Sequence, residues 1–152
     1  MHQLTRIIAA ALFAGAALAA LPALSEAPER TVKVWKSPTC GCCNGWIDHL
    51  RAAGFKVEAL DVTDVTLMKR ENGIPGRFTS CHTALVGGYF VEGHVPAADV
   101  ERLLAERPPI AGLAVPGMPI GSPGMEGPKP QRYDVLALDG DGGVSVFATH
   151  GP

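Results

Sequence analysis

The sequence predicts an α/β domain, and three observations carry the prediction. Short stretches that alternate apolar and polar residues, rich in β-branched side chains, occur at Thr31–Lys36 and Phe55–Leu60. Stretches with apolar residues at helical spacing follow them, each closed by glycine or proline. A length of 152 residues suits one compact domain better than two.

Before the first strand, residues 1–25 have the order of an export signal. Met1 to Arg6 is a basic start, Ile7 to Leu21 an apolar run, and Ala23-Leu24-Ser25 a small-x-small cleavage site, with Ala17-Leu18-Ala19 as a rival. The run is marginal for a membrane span of about 20 apolar residues, so cleavage and a mature, periplasmic chain beginning near Glu26 are expected. Residues 26–30 form a linker. Cleavage removes Arg6 alone among the charges, leaving the chain one unit more negative than its full-length net charge of −2. No basic face for nucleic acid or anionic lipid results.

The elements of residues 31–109 follow in order. Thr31–Lys36 runs straight into Ser37-Pro38-Thr39-Cys40-Gly41-Cys42-Cys43. From Asn44 to Ala53, Trp46, Ile47, Leu50 and Ala53 share a helix face, and Gly54 supplies the stop. Cys42 and Cys43 thus fall at or just before a helix N-terminus. After the strand Phe55–Leu60, Asp64 caps a short helix through Arg70 that stops at Asn72-Gly73. Ile74-Pro75-Gly76 is a turn. Thr83–Val86 and Tyr89–Glu92 flank Gly87-Gly88 as a hairpin. Pro96 opens a helix with Val100, Leu103 and Leu104 on one stripe, and Pro108-Pro109 ends it. This order, strand-helix-strand-helix-hairpin-helix, is that of a thioredoxin-like domain, a fold that keeps its reactive cysteines between the first strand and first helix.

Residues 110–130 are rich in glycine, proline and methionine, and are expected to be a long loop, neither helix nor interior strand. In residues 131–152, Tyr133–Leu138 and Val144–Phe147 read as a C-terminal β-hairpin around the turn Asp139–Gly143. Asp139-Gly140-Asp141 lacks the spacing and distal glutamate of a calcium loop.

All four cysteines lie in the first loop or at Cys81, and three chemistries suit them. In an oxidising compartment an even cysteine count suggests structural disulfides, although adjacent Cys42 and Cys43 cannot easily pair and a small ring adds little stability. Cys40-Gly41-Cys42-Cys43 is formally a C-x-x-C at a helix start, so Cys40 and Cys43 could perform thiol–disulfide exchange. Four sulfurs are also the right number for zinc, an iron–sulfur cluster or Cu(I). The crowded spacing lacks a second zinc knuckle and favours sulfurs that bridge several Cu(I) ions in a polynuclear cluster. Soft or imidazole donors nearby would point the same way, and His82, His94, Met118 and Met125 are the candidates. His49 is expected to face solvent, and His150 to lie in a frayed tail.

The Ser37–Cys43 stretch, Trp46, His49-Leu50, Ser80-Cys81-His82-Thr83-Ala84, Glu92-Gly93-His94-Val95-Pro96, Pro116-Gly117-Met118-Pro119 and Gly121–Glu126 together resemble the CopG-like periplasmic copper-resistance proteins. The likeness runs from about Val32 to Glu126. It implies a thioredoxin-like fold, copper held by Cys40, Cys42, Cys43 and Cys81, and a role in copper tolerance that extends to changing the oxidation state of copper. Enzyme, store, and carrier that passes copper to an efflux protein all remain compatible with it.

Overall fold

The computed structural model describes residues 30–152, and the expected signal segment and most of the linker lie outside the described residues. Its strands are β1 (Thr31–Lys36), β2 (Lys56–Asp61), β3 (Thr83–Val86), β4 (Tyr89–Glu92), β5 (Gly112–Ala114), β6 (Tyr133–Leu138) and β7 (Val144–His150). Three α-helices join them: α1 (Gly41–Ala52), α2 (Thr66–Glu71) and α3 (Ala97–Glu106), with a 3-10 turn at Gly76–Phe78. The strands form one sheet in the order β2-β1-β3-β4-β5-β6-β7. Pairing is parallel for β1 with β2 and for β4 with β5, and antiparallel elsewhere.

Alternate residues of the strands divide the core into two layers. Val32, Val34, Ala84, Val86, Val91, Leu113, Val135 and Ala137 face Trp46, Ile47 and Leu50 of α1 and Val100, Leu103 and Leu104 of α3. Phe90, Ala114 and Leu138 face the opposite way and meet Ile74, with Phe78 packed against them. The period-2 pattern of the strands therefore buries both faces of the central strands, as the wholly buried β4 and β5 require.

Four expectations need correction. The segment 110–130 contains an interior strand, β5, paired on both sides by β4 and β6. Its three residues contain no proline, and a side chain at Gly112 would collide with the Phe90 carbonyl and ring, so glycine is what permits the close approach. The C-terminal hairpin consequently belongs to the same sheet. Helix α1 begins at Gly41, not Asn44, which places Cys42 and Cys43 inside its first turn.

The two remaining corrections concern histidines. His49 is half-buried, with its Nε2 accepting the Ala97 N–H at 3.0 Å and so closing the N-terminus of α3. His150 is part of β7, stacks on Tyr133 and pairs with Asp99 Oδ2 at 2.6 Å. Neither contact could be read from sequence, because each partner is about 50 residues away.

Candidate metal centre

The first wall of the site is the N-terminus of α1. Cys40 is its N-cap residue, without a side-chain cap, and residues 40 and 43 lie one turn apart on one side. Cys40 and Cys43 are joined as a disulfide, with Cα atoms 5.4 Å apart, while Cys42 and Cys81 are free. Cys43 is buried, and Cys40 and Cys42 are half-buried.

The second wall comes from the ends of the β3–β4 hairpin. Cys81 and His82 precede β3, and His94 follows β4. The register that pairs Thr83 with Glu92 brings these ends together, and Gly93 N–H donates to the His82 carbonyl at 3.1 Å. His82 and His94 are both fully buried. The Trp46 ring lies 4.3 Å from His82, and its Nε1–H donates to the Val95 carbonyl at 2.8 Å, which fastens α1 to this wall.

All four sulfurs meet. Cys42 Sγ is 3.4 Å from Cys40 Sγ and 3.8 Å from Cys81 Sγ, and Cys43 Sγ is 3.5 Å from Cys81 Sγ. Tetrahedral ligands about 2.3 Å from one ion stand about 3.8 Å apart, so the spacing suits a shared metal. Cys81 Sγ also lies 3.0 Å from His94 Nε2 and 3.4 Å from His82 Nδ1. Cys81, His82 and His94 thus make a second donor group sharing one sulfur with the first.

The imidazoles suit metal binding. His94 Nδ1–H donates to the Pro123 carbonyl at 2.7 Å, an arrangement that fixes the tautomer and leaves the Nε2 lone pair facing Cys81. His82 presents its Nδ1 to Cys81, while its Nε2 is buried without a hydrogen-bond partner. Burial pushes both histidines below their ordinary pKa, His82 well below, so both rings are neutral at pH 7 and able to serve as ligands. Burial, and then neighbouring Cys42, push the Cys81 thiol up to about 12. A bound cation reverses that balance by stabilising the thiolate. In the disulfide form the donors are two thiols and two imidazoles; two-electron reduction of Cys40–Cys43 releases the remaining two.

The glycine- and proline-rich loop closes one side of the site. Gly124, at a left-handed φ of 82°, lies so near α1 that a Cβ would stand 2.5 Å from the Cys42 carbonyl oxygen and 2.6 Å from Trp46 N. The adjacent Pro123 holds His94. Of the methionine candidates, Met118 is exposed at 51% and Met125 is half-buried beside Gly124.

Two residues of the site's surroundings were not singled out from sequence as contributors, Lys69 and Glu92. Glu92 is fully buried and Lys69 nearly so, and they pair at 2.5 Å, with Glu92 bonded to Ser80 and Thr83 on either side of Cys81-His82. The sequence signs for Glu92 were its place at the head of Glu92-Gly93-His94-Val95-Pro96 and its apolar neighbours in β4, while nothing marked Lys69.

The described residues therefore define an α/β protein with a cysteine and histidine cluster able to bind a metal. Two solved structures described as copper resistance protein copG match it. Form 2 is 47% identical, covers 80% of this chain and 98% of its own, and superposes with a TM-score of 0.76. Form 1 is 46% identical, covers 83% and 100%, and gives 0.77. The chain belongs to the CopG family of copper resistance proteins. A family profile described as "Protein of unknown function, DUF411" matches residues 78–125, and no curated protein sequence matches. Among the described residues no helix is long and apolar enough to cross a membrane.

Proposed function

We propose that this protein is a periplasmic copper-binding protein that holds Cu(I) through Cys40, Cys42, Cys43 and Cys81 and serves copper tolerance. The observation that carries the proposal is the convergence of four sulfurs and two neutral, buried imidazoles, a soft donor set that favours Cu(I) over harder cations. The donors number more than one ion needs, and the shared Cys81 sulfur suits bridging in a polynuclear cluster. The order and pairing of β1 to β4 around this loop support a thioredoxin-like assignment for that part of the sheet. An efflux or carrier protein is the partner that a tolerance role calls for.

Two electrons released when Cys40 and Cys43 thiolates join as a disulfide reduce two Cu(II) to two Cu(I), which is how the same site would convert the oxidation state of copper. The Cys40–Cys43 disulfide also favours a second function, thiol–disulfide exchange. Elemental analysis and a free-thiol count on protein from the periplasm of copper-grown cells separate the two. Copper with reduced thiols is expected, and Cys42→Ser should lose copper about as severely as Cys40→Ser. Wild-type protein that carries no metal and one disulfide, with reductase activity surviving in Cys42→Ser, would establish exchange instead.

A further inference from the structure

Cys81 and His82 lie in an irregular stretch between the 3-10 turn and β3, just outside the strand ladder, where the Gly93 N–H donates to the His82 carbonyl at 3.1 Å. Two of the site's donors therefore depend on whatever holds residues 79 to 83. The Glu92 carboxylate reaches both sides of the pair. Its Oε1 accepts the Ser80 N–H at 2.6 Å, one residue before Cys81, and its Oε2 accepts the Thr83 hydroxyl at 2.6 Å, one residue after His82. Lys69 completes the clamp from α2, donating to Glu92 Oε1 at 2.5 Å and to Thr83 Oγ1 at 3.1 Å. Gly93 makes room, since a Cβ there would stand 2.5 Å from Ser80 Cβ.

A buried ion pair is by itself weak ground for stability. Burial pushes the Glu92 carboxyl up, and Lys69 and the other donors pull it back toward the charged form. A buried ion pair replaced by apolar residues of similar volume is often neutral or stabilising. What apolar residues cannot do is accept a hydrogen bond on each side of Cys81-His82. We infer that Glu92, neutralised by Lys69, is the positioning residue that sets Cys81 and His82 at the copper site. Neither touches the donor atoms. This inference rests on the proposed copper binding.

The test compares two double variants. Lys69→Met with Glu92→Gln removes both charges and keeps an amide oxygen for Ser80 N–H. Lys69→Met with Glu92→Leu removes the acceptor and keeps the volume. Cu(I) affinity is measured by competition with bicinchoninate on the reduced protein, beside the melting temperature of the metal-free form. The Leu pair, which leaves the Ser80 N–H and the buried Thr83 hydroxyl unpaired, should melt somewhat below wild type and, while folded, bind Cu(I) at least about tenfold more weakly, the usual range for a lost ligand support, while the Gln pair stays near wild type. Wild-type affinity in a folded Leu pair, or equal losses in both pairs, overturns the inference.

Should the Leu pair fail to fold, Thr83→Val removes only the downstream grip. A clear loss of affinity at unchanged melting temperature is then expected, and wild-type affinity overturns the clamp. The alkylation rate of Cys81 by iodoacetamide, mapped by mass, reads the same clamp without copper. It should rise several-fold in the Leu pair or in Thr83→Val but not in the Gln pair, and an unchanged rate counts against the clamp. Wild-type protein that takes up no Cu(I) would overturn the copper proposal, with the alkylation rate still deciding the clamp.

Discussion

The two walls of the site are built in opposite ways. At the start of α1, Cys40, Cys42 and Cys43 are brought together by four consecutive residues and one helical turn, and a disulfide links two of them. Across from them, Cys81, His82 and His94 are gathered by the β3–β4 register, by Trp46 and by the loop carbonyl of Pro123. The first wall is locally assembled and half-open to solvent; the second is assembled by tertiary contacts, with both imidazoles fully buried. The difference implies a division of labour. The Cys40–Cys43 disulfide engages two sulfurs of the first wall with each other, whereas packing fixes where the second wall stands.

The largest expected effect comes from cutting the link between the walls. A copper ion shared by Cys81 and the α1 cysteines closes a loop of about 40 residues, which the chain-entropy relation values on the order of 4 kcal/mol. Copper-loaded protein should therefore be well more stable than metal-free protein. Cys81→Ser should abolish most of that difference while leaving metal-free stability little changed. Denaturant unfolding with and without Cu(I) measures it, and an equal loss in both forms would show Cys81 to be structural.

A smaller effect should follow from disturbing the seat of the loop. Gly124→Ala places a Cβ against the Cys42 carbonyl and Trp46 N at a left-handed φ of 82°, so a loss of about 1–3 kcal/mol is expected, with His94 released from Pro123. Gly117→Ala has a similar φ of 69° and open space around it, and should cost only the left-handed penalty of about 1 kcal/mol. Equal losses in the two variants would show that the loop does not brace the second wall. Chemical denaturation of the metal-free protein is the measurement.

The smallest effect concerns His49, which ties the first wall's helix to α3. Burial is the larger influence on its pKa and lowers it from 6.5, against a weaker upward pull from Glu126. The neutral ring accepts the Ala97 N–H. A depressed folded-state pKa means this contribution is present in full above about pH 6.5 and is lost as pH falls through the folded value. Buried His82 and His94 shift in the same direction and add to the acid loss. His49→Gln keeps an acceptor that does not titrate, so it should shift stability at pH 7 by about 1 kcal/mol or less and flatten the decline below pH 6.5. Parallel wild-type and variant profiles would remove His49 from the acid response.

The sequence by itself determined the elements up to α3 and the first wall. Apolar periodicity states which way each side chain faces, and glycine and proline mark where an element must stop. Three cysteines in four positions at a helix start need no distant partner to be neighbours. A place for Cys81 opposite them follows from the thioredoxin-like element order and the family resemblance together, since no spacing encodes a contact across 38 residues. The tertiary structure alone decided the rest. Gly112–Ala114 is a strand because β4 and β6 offer it hydrogen bonds on both sides, although its own composition argues for a loop. His49 and His150 are ordered by partners on α3, and Glu92 tolerates full burial because Lys69, Ser80 and Thr83 converge on it. Local conformational preference is written in consecutive residues, whereas sheet partners, buried ion pairs and the second wall exist only once the chain has closed on itself.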